Sequence, residues 1–476
     1  MTRAATVARV NPPIALPSRD DPLVRPVSEV VGGPVGYHAA IGQGWWGPIR
    51  VALAVVCVVL GLGVLADAGC RADGWDRRED RALWTGLCYS DVAFLYRERG
   101  GLADGLVYRD SPFLEYPVLA GAVMQVSALA ARAPTDAELT DPGEALRSES
   151  VRFYDLTALL MGIAAVVAVV ATARTVPRRP WDAMLVAASP VLLLTATINW
   201  DLLAVALTSA AILAWTRENP LLAGLLVGLG SAAKLYPVLL LGPMLLVAVR
   251  DPNRPWALNR YAVTVGAAIV TWVGVNLPVF LWAPDGWREF FVFNADRAAE
   301  FGSPWYALDH IAPGLIPADL NPVLVLIGGV LLVLIVVLAL AAPQPPRLAQ
   351  LAFLAVAAFL LVNKVWSPQY ALWLLPLAAL ARPRWRDLLI WQVGEVLYFV
   401  AVWWHLGTLF DADNPLIGST GYAVATAIRI TCLGWLCALV VRDVLRPELD
   451  PVRPFISPPG DGRLVVPPAP QAASSP

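Results

Sequence analysis

The chain has 476 residues, of which 58% are hydrophobic and 15% charged, with a formal net charge of −2. That is too apolar for a soluble protein of this length. The near-zero net charge names no partner, because charges in such a chain are partitioned by membrane side, and no nucleic-acid partner is expected. Runs such as VLVLIGGVLLVLIVVLALAA at 323–342 pass the transmembrane threshold of roughly 18 apolar residues. The expected fold class is an all-α polytopic membrane protein. The bias to Ala, Val, Leu, Gly and Arg, with two lysines in the whole chain, points to a GC-rich bacterial genome.

Taken in chain order, residues 1–46 are Pro-rich and polar and lack an apolar signal core, so a disordered cytoplasmic tail is expected. Window hydropathy then places spans at 48–67, 152–174, 181–199, 201–217, 220–235, 236–250, 260–282, 320–342, 347–363, 369–382, 386–405 and 417–441. These twelve helices fall within a membrane domain at 47–443. A Pro-rich cytoplasmic tail follows at 444–476. Glycines in GLLVGLG at 224–230 allow close helix packing.

The short loops 174–180, 249–260, 381–387 and 441–453 are basic, and twelve spans put all four on the cytoplasmic side. The segment 115–133 also looks apolar enough to cross. If it did, every later loop would change sides, so it is expected to be an interfacial or re-entrant helix within one long outer loop at 69–150. A second long outer loop covers 283–319. Elaborated loops on one face mark the working face, which in a bacterium is periplasmic, in the inner (plasma) membrane. A transporter or lipid flippase should show repeated halves and mid-span ionisable groups. No repeat is visible, and charged residues cluster at the outer helix ends.

The first outer loop contains LCYSDVAFLYRERGGLADGLVYRDSPFLEYPVLAG at 87–121. Asp91 lies among Tyr89, Phe94 and Tyr96, where desolvation can tune an acid for proton transfer. The plainer alternatives are pairing with Arg97 or Arg99, or capping the helix that follows Ser90. The two lysines, Lys234 in SAAKLYPVLLL and Lys364 in NKVWSPQY, both stand where an apolar run meets a Tyr/Pro cluster. A lysine at a helix mouth can snorkel and offer a compact charge to phosphate, or it can simply mark a helix end. Asn363, Gln369 and Tyr370 beside Lys364, and Tyr236 beside Lys234, are neutral groups suited to a sugar. Arg288, Arg297 and His310 of the second loop are further candidate phosphate partners. Its Trp287, Trp305 and Tyr306 are sugar platforms or interface anchors. Asp201 in INWDLL can orient a sugar hydroxyl or pair with a lysine. His38 lies in the tail and His405 ends a span. Cys70 and Cys88 both fall in the first outer loop and can form a disulfide or remain free thiols, whereas Cys57, Cys432 and Cys437 fall within spans.

The order SDVAFLYRERG, LADGLVYRD, LEYP, NWD, AAKLYP and NKVWSPQY resembles glycosyltransferase family 87 over most of 48–441. The family has the GT-C fold and is typified by polyprenol-phosphate-mannose-dependent mannosyltransferases of mycobacteria and corynebacteria. The resemblance makes Asp91, followed by Tyr96, the catalytic base, and matches Asp104, Gly105 and Tyr108 to a second family stretch. Glu115-Tyr116-Pro117-Val118 departs from the family's Tyr-Pro-Pro and adds Glu115 as a second acid. The function implied is transfer of a sugar, mannose or arabinose, from a polyprenyl-phosphate donor to a glycolipid or cell-envelope acceptor, with inversion. A lipid monophosphate leaving group held by Lys or Arg needs no divalent metal. With no His/Cys cluster at ligand spacing, neither a metal nor another cofactor is expected.

Overall fold

The computed structural model describes residues 14–32, 46–75, 81–99, 102–103, 105–111, 113–132, 142–317, 319–411 and 413–455. Among them every regular element is helical. Six helices are long and apolar enough to cross a membrane: Pro48–Ala66, Gly143–Thr175, Arg254–Trp282, Asn321–Ala341, Trp385–Phe410 and Ser419–Leu445. Over its described residues the protein is therefore an all-helical membrane protein. The other expected spans are shorter. Asp201–Thr216, Pro220–Ala233, Leu348–Val362 and Pro368–Ala381 are apolar helices of 10–17 residues, mostly buried within the bundle. The expected span 181–199 breaks into a turn at Pro180–Ala183 and short helices Met184–Ala187 and Pro190–Thr195, the last restarted by the Ser189 cap and Pro190. Hydropathy counts apolar residues and cannot separate a helix facing lipid from one wrapped in protein, so six of the twelve expected spans stand as long helices and the others as shorter or broken ones.

Small residues set the packing where helices come closest. A side chain at Gly224 or Gly228 would run into the carbonyls of Thr264 and Ala268, so the helix Pro220–Ala233 lies directly against Arg254–Trp282. The segment expected at 115–133 forms the 14-residue helix Val118–Ala131, packed on Pro142–Thr175 and Pro220–Ala233.

Helix ends carrying the basic loops gather at one end of the bundle. There Arg179 pairs with Asp182 (2.7 Å), Arg347 with buried Asp450 (2.8 Å), and Arg382 with both Asp387 and Asp443. Two segments expected to be unstructured tails join this end. Residues 14–32 contain the helices Pro17–Asp20 and Val24–Gly32. Ala15 N–H bonds the Arg178 carbonyl (2.8 Å), and Asp21 accepts from Trp385 N–H (3.1 Å). The stretch after 445 folds back so that Asp450 receives Arg347 and Gln350. Pro-rich composition described these segments poorly because single buried acids anchor them.

Sequence reading also missed a charged pair inside the bundle. Glu395 and Arg429, midway along two long helices, pair at 2.7 Å and are almost wholly inaccessible. Their helices contribute one charge each, 34 residues apart, so no local pattern announces them. The expectation that charge is confined to helix ends fails here.

Candidate functional site

At the end opposite the basic loops, a cavity of about 390 Å³ opens among the two long loops and the segment 367–370. Asp91 forms part of its wall. Ser90 caps the helix Asp91–Glu98, its Oγ accepting from Val92 N–H (3.2 Å) and donating to the Thr197 carbonyl (2.7 Å). Asp91 is thus the first helical residue, held by a cap it does not itself supply. Neither arginine expected as an alternative partner takes it. Arg97 binds the Gly74 carbonyl (2.8 Å), and Arg99 makes a two-pronged bond to Glu115 (2.6 Å each). Burial raises the Asp91 carboxyl to about 6, against the lowering by the Tyr89 hydrogen bond and the Lys234 charge, while Asp201 and Glu115 raise it further. An acid tuned to that range can take a proton near neutrality.

Lys234 faces the same cavity. It ends the helix Pro220–Ala233 in extended backbone, and its Nζ lies 2.9 Å from Asp201 Oδ1. Asp201 is buried and its other oxygen accepts the Trp373 indole N–H (3.0 Å). The rings of Tyr116 and Tyr370 lie 5.0 and 5.3 Å from the ammonium. A buried carboxylate and two aromatic faces therefore fix one compact cation beside Asp91. Arg297 also lines the cavity, paired with Glu300.

Other expected site residues divide. Glu115, Tyr116, Gln369 and Tyr370 line the cavity. Asp201 stands behind it as the Lys234 counter-ion. Tyr96 turns away, buried against Phe153 with its hydroxyl on Glu149 (2.9 Å), and Tyr236 is stacked flat on Trp373 behind the wall. Both are packing groups here: Tyr96 lies on the core face of the helix that Asp91 begins, and Tyr236 opens a separate turn after the extended Lys234. Asn363 caps the end of Leu348–Val362 and is not in the cavity wall. Arg288 is exposed beside Asp285, and His310 binds the Tyr306 carbonyl through Nδ1 (2.9 Å). Neither reaches the cavity. Gly105 and Tyr108 are placed, with the Tyr108 hydroxyl on the Tyr116 carbonyl (2.9 Å); Asp104 and His38 lie outside the described residues.

Lys364 is the largest departure. It is 7% exposed and faces a separate hollow near Asp319 and Asn321. Its Nζ donates to the Ala295 carbonyl and to Asn321 Oδ1, both at 2.9 Å. Burial, and then the Arg297 charge, lower its pKa below the ordinary lysine value. Lys364 fastens the second long loop to the segment 363–370. The same segment is held from below by Arg429, which donates to the Trp366 (2.6 Å) and Ser367 (3.2 Å) carbonyls. Cys70 and Cys88 are joined as a disulfide that closes the loop ahead of Asp91. Trp84, Asn199, Glu300 and Trp403 line the cavity and were not anticipated. Asn199, two residues before Asp201 in the quoted NWD stretch, was the one with a visible signal.

Residues 148–363 match the family model of glycosyltransferase family 87. Over that segment the chain is similar to the family, and the match points to a membrane glycosyltransferase, with a sugar donor and an acceptor as partners. Among curated proteins none matches the chain. The matched family 87 segment contains Asp201, Lys234, Arg297 and Glu300. Asp91, Gln369 and Trp403 lie outside it and are brought to the same cavity by the fold. Among the described residues, no group of three or more His, Cys, Asp or Glu side chains is arranged to hold a metal ion.

Proposed function

We propose that the protein transfers a sugar, mannose first among candidates and arabinose second, from a polyprenyl-phosphate donor to a lipid or cell-envelope acceptor. On this proposal the short buried helices count as passes, giving twelve in a GT-C arrangement, and the cavity faces the periplasm from the plasma membrane. The carrying observation is the shared cavity of Asp91, an acid with no arginine partner, and Lys234, a cation locked in place. The acceptor hydroxyl oxygen attacks the anomeric carbon from the face opposite the phosphate. The bond from that carbon to the phosphate oxygen breaks, and its electron pair leaves with the polyprenyl phosphate. Asp91 takes the hydroxyl proton, and Lys234 and Arg297 hold the phosphate charge as it develops. Two fixed cations can do this without a metal. Because Lys364, Arg288 and His310 do not line the cavity, the proposal assigns phosphate binding to Lys234 and Arg297.

The test is transfer from a radiolabelled polyprenyl-phospho-mannose to a lipid extract in membranes. Asp91→Asn keeps size and removes basicity, and should lower the rate about 100- to 10,000-fold at equal protein levels. Near-normal transfer by that variant would remove Asp91 from the chemistry and leave Glu115 as the acid to test.

The mid-helix pair Glu395–Arg429 favours a second proposal, a transporter or lipid flippase. Against it, Arg429 is spent on Glu395 and two loop carbonyls, as a brace would be. Flipping of a polyprenyl-phospho-sugar in proteoliposomes, undiminished by Asp91→Asn and without transfer, would favour the transporter.

A further inference from the structure

Two residues of the cavity wall each carry a buried polar atom that lacks a partner. The Trp403 indole Nε1 and the Gln369 Oε1 make no hydrogen bond, although both residues are only 4% exposed. Other unpartnered buried atoms occur among the described residues, but these are the two whose residues line the Asp91 cavity. A buried donor or acceptor left without a partner is costly, so native structures keep few of them, and those at a cavity wall are natural places for a ligand group.

Their positions differ in a useful way. Trp403 packs against Tyr89, with ring centres 5.1 Å apart, and the Tyr89 hydroxyl bonds Asp91. Trp403 therefore stands one ring away from the proposed base. Gln369 precedes Tyr370, whose ring lies over the Lys234 ammonium. The unpartnered donor thus belongs to a residue on the acid side of the cavity, and the unpartnered acceptor to a residue on the cation side. A phosphate offers acceptors alone and an acyl chain offers neither. A ring bearing several hydroxyls offers both, since each hydroxyl donates once and accepts twice.

We infer that Trp403 and Gln369 are a specificity pair for the transferred sugar, the indole N–H donating to one ring hydroxyl and the Gln369 oxygen accepting from another. This rests on the proposed sugar-transfer function and adds the residues that choose the sugar. Sites built to hydrogen-bond a substrate hydroxyl reject analogues lacking it, because the site's own polar group is then left unpaired.

The experiment measures binding and transfer separately, on full-length protein in nanodiscs. Binding of polyprenyl-phospho-mannose and its monodeoxy analogues is followed by titration calorimetry for the wild type, Trp403→Phe and Gln369→Leu. Trp403→Phe keeps an aromatic ring and removes the N–H. Thermal unfolding at matched protein levels checks that each variant is folded. The wild type should bind one or two of the deoxy donors about tenfold or more weaker than the parent. Trp403→Phe should bind the parent about tenfold weaker and lose its discrimination against one deoxy donor, while Gln369→Leu loses it against a different one. If folded variants retain the wild-type pattern across all analogues, the pair is not a specificity device. Binding without transfer by the wild type would overturn the enzymatic proposal and leave the pair to be decided by the binding series. Absence of binding to every sugar lipid would overturn both.

Discussion

Lys234 and Lys364 occupy similar sequence surroundings and opposite places in the protein. Each follows an apolar helix and precedes a Tyr/Pro cluster. Lys234 is opposed by a buried carboxylate and aromatic faces, and its ammonium stands at the cavity beside Asp91. Lys364 is opposed by a carbonyl and an amide oxygen, and its ammonium is consumed in tying two loops together. A charged counter-ion fixes a cation while keeping its charge at the site. Neutral acceptors spend its donors on architecture. The difference between the lysine proposed for the site and the lysine that ties loops lies in what the rest of the chain brings to meet it.

The strongest challenge to that contrast is to remove the cavity lysine. Lys234→Met should lower transfer roughly 100- to 1,000-fold, the usual effect of losing a donor aimed at developing charge. It should also destabilise the fold by about 3–5 kcal/mol, because Asp201 is left buried and unpaired. Adding Asp201→Asn should restore most of the stability, read as denaturation midpoint in detergent, and none of the rate. Recovery of the rate in the double variant would mean that Lys234 serves only Asp201.

The pH profile sharpens the acid's side of the same cavity. The fold raises Asp91 to about 6, so the carboxylate that must accept a proton is lost as pH falls through that value. The value of kcat/KM should therefore be flat above about pH 7 and fall about tenfold per pH unit below 6. A profile flat down to pH 4.5 would place the base elsewhere.

A smaller effect is expected from the loop that positions Asp91. Replacing Cys70 and Cys88 by Ser opens a closure spanning 18 residues, and should cost about 3 kcal/mol in the chain-entropy view. Reductant should lower the unfolding temperature of the wild type and leave the double-Ser protein unchanged.

Lys364→Met completes the comparison with the mildest expected outcome. Loss of its two hydrogen bonds should cost about 1–3 kcal/mol, with transfer lowered less than tenfold and the affinity for the donor phosphate unchanged. A loss matching that of Lys234→Met would return Lys364 to the phosphate site.

The sequence by itself determined the solvent. Uncharged runs long enough to cross hydrocarbon can be read directly, since the cost of burying charge in lipid acts residue by residue along one helix. It also marked Asp91, Lys234 and the Gln369–Tyr370 pair as chemistry-bearing groups in apolar surroundings, and Cys70 with Cys88 as a possible closure. Tertiary structure decided what each group does. Tyr96 turned into the core through its phase on the helix that Asp91 begins, and Tyr236 through the break in the chain at the extended Lys234, neither visible until the packing faces are known. Arg429 and Glu395 found each other across two helices, and Trp403 came to stand beside Asp91 from more than 300 residues away in the chain. Ion pairs, shared cavities and open hydrogen-bonding atoms are relations between distant segments. Their energies depend on distance and burial in three dimensions, and neither quantity is written in local order along the chain.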